Sequence, residues 1–325
     1  MHVAGQRVAR GENNMKIAVV GLGGVGGFYG GKLARRFADK GEHEIFFIAR
    51  GDHLKAIKEK GLTVTSDGET WTAHPAGASN DPSDYGPYDL VIVAVKGYGL
   101  PDAAHSIASS IHDNSIIIPL LNGVDSAEHL AGILPQATIL NGCVYISSHI
   151  ASPGAIEHVG GAGKLVFGPT HGDTTPYRHI EKIFTDAGIT AHLSDTIERD
   201  VWTKFLFIGP LAGITAMREK TLGEIMNDEK DRTMLTGMMR EVEAIARKRS
   251  IILPSDIVDT SLAMTANFPS ETKTSLQLDV EKGREAEIDL FIGSVIRSGK
   301  ALAIPTPLHD KVYSNLITKQ ELHRS

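Results

Sequence analysis

Apolar residues follow two different rhythms along this chain. From residue 15 they come in short, continuous, β-branched runs separated by stretches with helical spacing. Residues 16–20, 44–48, 89–95 and 115–121 read as buried strands, and 25–40 and 53–60 as helices between them. The runs 62–65 and 70–73 flank Asp67-Gly68 and read as a hairpin-like insertion. Short apolar strands alternating with helices predict a parallel sheet covered on both faces. Beyond about residue 194 β-branched runs become few, and 195–217, 222–248, 255–265, 274–283 and 287–300 mostly read as helices. The fold class is therefore α/β: a doubly wound sheet over 15–194, then an all-helical domain over 195–325, with the boundary near 193–195. Residues 1–14 read as a disordered or adventitious extension, with Met15 as the functional start of the fold.

Composition narrows the setting. A length of 325 residues fits two domains, and 42% hydrophobic with 22% charged residues supplies a sizeable core to each. A net charge of -6 argues against a nucleic-acid or anionic-membrane surface. Cys143 is the single cysteine, which rules out an intramolecular disulfide and fits a reducing compartment. The polar stretch 1–14 lacks the apolar centre of a signal peptide. The most apolar uncharged run, 205–217, is broken by glycines and Pro210 and falls short of the ~20 residues of a membrane span. A cytoplasmic protein is expected. The 14 histidines form no cluster at metal-ligand spacing, so no metal is expected; His149 and His158 flank Pro153-Gly154, which reads as a hairpin turn.

Gly21-Leu22-Gly23-Gly24-Val25-Gly26 fits G-x-G-x-x-G and lies directly between a predicted strand and a predicted helix, the context a dinucleotide-binding Rossmann turn requires. The first glycine permits the tight turn, the second lets backbone approach a pyrophosphate, and the third lets helix pack on strand. At the end of the second strand an NAD site usually carries Asp or Glu for the ribose 2′-hydroxyl. Here Ala49-Arg50 stands instead, and a guanidinium pairs with a 2′-phosphate, which favours NADP(H). Asp52, two residues on, and a simply solvated Arg50 leave NAD open. Lys96 follows the strand ending at Val95, at the carboxyl edge where open α/β sheets bind ligands.

These stretches, together with Arg50-Gly51-Asp52-His53-Leu54, Val95-Lys96, Leu121-Asn122-Gly123-Val124, Pro153 to His158, Trp202-Thr203-Lys204, Thr274-Ser275-Leu276-Gln277, Glu287-Ile288-Asp289 and Ile304-Pro305-Thr306-Pro307, resemble the ketopantoate reductase family (2-dehydropantoate 2-reductases) from residue 15 almost to the C-terminus. The resemblance implies a Rossmann domain, a helical domain, an active site in the cleft between them, and NADPH-dependent reduction of a small-molecule 2-oxo acid. It implies Lys204 as proton donor, Glu287 as the acid working with it, Asn122 as a holder of cofactor and substrate, Ser275 as a substrate contact, and Arg50 and Lys96 as cofactor phosphate contacts.

The chemistry calls for such residues. Hydride transfer to a ketone leaves charge on its oxygen, and a lysine ammonium can both stabilise that charge and supply the proton. Lys204 opens the uncharged run 205–217, so partial desolvation should lower its pKa; alternatively its stem lies on apolar surface with the ammonium in water. Glu287 could orient that ammonium or contact the nicotinamide-side ribose, or be one more exposed helix carboxylate beside Glu281, Glu285 and Asp289. The family pattern is broken at three asparagine positions, occupied here by Ile208, Ala212 and Leu222; Pro210 falls early and Gly213 takes the usual proline place. Loss of three amides predicts a pocket for a less hydroxylated, more apolar side chain, or an NADP(H)-binding sensor without turnover. The apolar helical half admits a homodimer.

Overall fold

Runs such as Lys-Ile-Ala-Val-Val form strands here because both faces of the sheet they enter are covered. The computed structural model describes residues 14–38 and 41–324, so the expected extension at 1–13 lies outside the described residues. Two compact units result: residues 14–121 with 127–195, and residues 122–126 with 196–324.

Along the first part of the chain run β1 (Lys16–Val20), α1 (Gly24–Phe37), β2 (Glu44–Ile48), α2 (Gly51–Lys60), β3 (Leu62–Ser66), β4 (Glu69–Ala73), β5 (Gly77–Ser79), β6 (Tyr88–Val93), α3 (Leu100–Ile107), β7 (Ile111–Pro119), α4 (Ser126–Ile133), β8 (Thr138–Ile139), β9 (Asn141–Ser152), β10 (Ala155–Gly168), α5 (Arg178–Asp186) and β11 (Ala191–Leu193). Six strands make a parallel sheet in the order β5-β2-β1-β6-β7-β8. The winding reverses between β1 and β6, the switch point where such sheets open a crevice at their carboxyl ends. Buried Ile17, Val19, Leu90 and Ile92 face one side, and Ala18, Val20, Val91 and Val93 the other, which is why these strands read as unbroken apolar runs.

A second sheet takes the insertion. β3 and β4 pair with Ser66 opposite Glu69, closing a two-residue turn at Asp67 and Gly68 with φ of 52° and 79°. The expected hairpin is there, but β3 also pairs with β10, and β10 pairs with β9 and β11. From the stretch 141–168 the sequence offered only the Pro153-Gly154 turn. α1 runs between the two sheets, and its glycines let it do so. A Cβ at Gly27 would lie 2.5 Å from Ile156, and one at Gly31 2.6 Å from Val64, both on the second sheet.

The second unit is helical: α6 (Ile197–Arg218), α7 (Leu222–Asn227), α8 (Glu229–Lys248), α9 (Ile257–Met264), α10 (Ser275–Glu281), a π-helical turn Asp289–Gly293, α11 (Ser294–Leu302) and α12 (Pro307–Arg324). α6 is buried nearly all round because α8, α9, α10, α12 and the π-turn all pack on it. It runs unbroken across Pro210. The single helix expected over 222–248 is two. Thr221 and Glu224 form a capping box at the start of α7, and the Asp228 carboxylate accepts from the N–H groups of Lys230 and Asp231, starting α8 afresh. Among the described residues no helix is long and apolar enough to cross a membrane.

Candidate active site

The glycine-rich turn is held from both sides. Gly21 N–H donates to Ile48 O of β2 at 3.0 Å, and Ala94 N–H, just past β6, donates to Val20 O at 2.8 Å. Gly21 has φ +90°, and a Cβ there would lie 2.8 Å from Ala94 O, so the tight turn requires glycine. Leu22 buries its side chain in the core. Gly23 is the N-cap of α1; no side chain caps the helix, and a Cβ at Gly23 would meet nothing within 4 Å. Gly24 and Val25 begin the first turn, with Gly24 close against the Ser148 backbone. At Gly26 a Cβ would lie 1.9 Å from Gly21 O, so the first turn of α1 packs directly on the turn that follows β1. Space beside Gly23, over an uncapped helix N-terminus, is a cradle that a pyrophosphate fits.

Cations stand on either side of that cradle. Arg50 is exposed at the N-cap of α2, two residues beyond β2, and Lys96 is exposed three residues beyond β6, capping the short turn Gly97–Gly99. Since β2, β1 and β6 are neighbours, Arg50, the glycine turn and Lys96 all emerge at carboxyl ends of adjacent parallel strands. No carboxylate occupies position 50; Asp52 is exposed in the first turn of α2. The sequence treated His53 only as part of a matching stretch. Its Nδ1 accepts from Gly154 N–H at 2.9 Å, and burial, partly opposed by the Leu22 carbonyl, lowers its pKa.

In the helical unit Lys204 lies on α6, half-buried, and its Nζ donates to Asn122 Oδ1 at 2.8 Å, across 82 positions of sequence. The strip around Asn122 lies against the π-turn: a Cβ on Gly123 would come 2.5 Å from Leu290 Cδ1. Arg297 ties the same two segments, bonding Asp289 Oδ1 at 2.6 Å with Asp125 Oδ2 at 3.7 Å. No spacing in the sequence signals this clamp. Glu287, expected as an exposed helix carboxylate in its bland alternative, is 9% exposed and precedes the helix rather than riding on it. Ser275 is exposed at the first position of α10, whose N-cap Thr274 meets Thr215 of α6 with hydroxyls 2.9 Å apart. Of the three apolar replacements, Ala212 and Leu222 sit inside the helical core; Ile208, one turn beyond Lys204, is only half-buried. The described residues contain no group of three or more His, Cys, Asp or Glu able to hold a metal ion.

A six-stranded parallel sheet with a glycine-rich turn at its switch point, followed by a helical unit with a lysine–asparagine pair, defines the class: a Rossmann-type α/β unit joined to a helical one. The chain belongs to the ketopantoate reductase family: the "Ketopantoate reductase PanE/ApbA" model matches residues 17–172 and its C-terminal counterpart matches residues 196–320. It is an oxidoreductase of the 2-dehydropantoate 2-reductase type, from an NAD(P)-dependent family. It is 31% identical over 303 residues to the uncharacterized oxidoreductase YkpB of Bacillus subtilis, covering 93% of this chain and 98% of that one. With the 2-dehydropantoate 2-reductase of Mesorhizobium japonicum it shares 29% over 321 residues, 92% of this chain and 95% of the relative. The crystal structure of a PanE/ApbA family ketopantoate reductase from Ralstonia eutropha superposes with a TM-score of 0.86 at 28% identity, covering 96% of this chain and all of that one.

Proposed function

We propose that this protein reduces ketopantoate (2-dehydropantoate) to pantoate with NADPH, in the cytoplasm, as a step of pantothenate biosynthesis. The observation that carries the reading is the 2.8 Å bond from Lys204 Nζ to Asn122 Oδ1, in a chain of this family. An ammonium has three N–H donors, and the one given to Asn122 fixes the direction of the others. Lys204 then meets the 2-oxo group, stabilises the charge growing on its oxygen and delivers the proton. Glu287, buried beside the Asn122 strip's π-turn, orients the ammonium or holds the nicotinamide-side ribose; the Ser275 hydroxyl binds the substrate carboxylate. The first-turn N–H groups of α1 hold the pyrophosphate, with Gly21, Leu22, Gly23, Gly24, Val25 and Gly26 shaping the cradle, Lys96 adding a phosphate contact and Asn122 a cofactor contact. Arg50 pairs with the 2′-phosphate, which favours NADPH over NADH. The reduced nicotinamide supplies the hydride to the 2-oxo carbon. The assembly is a homodimer, which light scattering would reject by returning a monomer mass.

The test follows loss of reduced nicotinamide absorbance with NADPH and ketopantoate, for wild type and Lys204→Ala. Turnover should fall by about 10²–10⁴-fold in the variant. One observation favours a second substrate: Ile208 keeps an apolar, half-buried side chain one helical turn from Lys204. On that reading a 2-oxo acid with a more apolar side chain outperforms ketopantoate in kcat/KM. NADPH binding without turnover of any 2-oxo acid would leave a cofactor-binding sensor.

A further inference from the structure

The imidazole of His53 touches three segments at once. It sits in the first turn of α2, three residues after Arg50. Its Nδ1 accepts from the Gly154 N–H at the β9–β10 turn, 2.9 Å away. Its Nε2 is buried against the Leu22 carbonyl, inside the glycine-rich turn, without a well-formed bond. An imidazole that accepts at Nδ1 is neutral and carries its proton on Nε2, facing that carbonyl. Gly154 has no slack to follow a displaced ring. Its carbonyl accepts from Thr63 N–H at 2.9 Å, its φ is +78°, and a Cβ there would lie 2.8 Å from Ala56 of α2.

We propose that neutral His53 is a positioning residue that ties the Arg50 loop and the phosphate-binding turn to the β9–β10 turn, and that its protonation breaks the Gly154 tie and weakens the cofactor. Protonated Nδ1 would point an N–H at the Gly154 N–H, replacing a hydrogen bond with two opposed donors. The two other segments facing the ring do so through backbone, Leu22 C=O and Gly154 N–H; on its own helix Asp52 is exposed, as is Arg50 at the cap. Among the described residues no charged side chain moves its pKa; burial lowers it below the ordinary histidine value, with the Leu22 carbonyl opposing, which favours the neutral ring. This inference rests on the cofactor reading above, but not on the substrate.

Dissociation constants for NADPH, from quenching of protein fluorescence, would be measured from pH 7.5 to 5 in wild type and His53→Gln. The NADPH 2′-phosphate titrates near pH 6 as well, so the quantity read is the difference between the two proteins. Loss of one such bond should weaken wild type about three- to tenfold more than the variant over this span, with the variant already weaker at pH 7.5. Equal pH profiles overturn the proposal and leave the cofactor reading intact; no NADPH binding by wild type at any pH overturns both. Should His53→Gln fail to fold, the wild-type His53 pKa read by NMR decides. Linkage requires saturating NADPH to lower it further, and an unchanged value refutes the coupling.

Discussion

Gly26→Ala probes how closely α1 is built onto the sheet. Its Cβ would sit 1.9 Å from Gly21 O, so helix and turn must part by about 1.5 Å to regain an ordinary 3.4 Å contact. Both partners are backbone, and no rotamer change can relieve the overlap. Overpacking of this kind costs about 3 kcal/mol, the upper end of its usual range, while the helix propensity gained over glycine returns about 1 kcal/mol. The net loss of about 2 kcal/mol lowers Tm by about 4–8 °C for a unit of this size. Gly23→Ala is the control, since its Cβ meets nothing within 4 Å. It should leave Tm within about 4 °C of wild type, because an N-cap exchange is worth only about 1 kcal/mol or less here. It should nonetheless weaken NADPH by about tenfold or more, because the methyl takes the space a pyrophosphate needs. Thermal unfolding by circular dichroism and a fluorescence titration read the two effects. A Gly26→Ala protein as stable as wild type, or a Gly23→Ala protein that melts as early as Gly26→Ala, would refute the reasoning.

Arg50→Ala should weaken NADPH about tenfold and NADH less than about twofold, since only the former offers the 2′-phosphate; parallel titrations check this, and equal losses would remove Arg50 from cofactor choice. Asp231 is 2% exposed and bonds Arg218 at 2.7 Å and Lys220 at 2.6 Å, tying the end of α6 to the start of α8. Asp231→Asn should destabilise the helical unit by about 1–3 kcal/mol, less than a fully buried pair would lose because both cations keep access to water; chemical denaturation measures it. Ile208→Asn should raise kcat/KM for ketopantoate relative to an apolar 2-oxo acid by about tenfold, an unchanged ratio showing that position 208 does not meet the substrate side chain.

Much of this was local enough to be legible along the chain. The unbroken apolar runs at β1, β2 and β6 announced a sheet buried on both faces, and the helical spacing after residue 194 announced a separate helical element set. Gly21 and Gly26 take the tight-turn and close-packing parts their spacing assigns. The Asp67-Gly68 turn is local too, because left-handed backbone at two successive residues needs such a pair. Breaks that depend on single side chains were missed. Asp228 splits an otherwise continuous helical pattern because its carboxylate binds two N–H groups, a choice the hydrophobic period does not register. Long-range contacts themselves lay beyond periodicity, although the family resemblance had placed Asn122 and Lys204 in one site. The second sheet joins β3 to β10, Lys204 meets Asn122, Arg297 bridges Asp125 and Asp289, and His53 takes the Gly154 N–H, each across a sequence gap that periodicity cannot cross. The burial of Ala212 and Leu222, against the partial exposure of Ile208, was equally undecided until α6 had neighbours. Periodicity and turn chemistry act between residues a few positions apart, so the sequence alone specified elements and the glycine-rich turn; which side chains face one another depends on how those elements pack, and only the tertiary structure decided that.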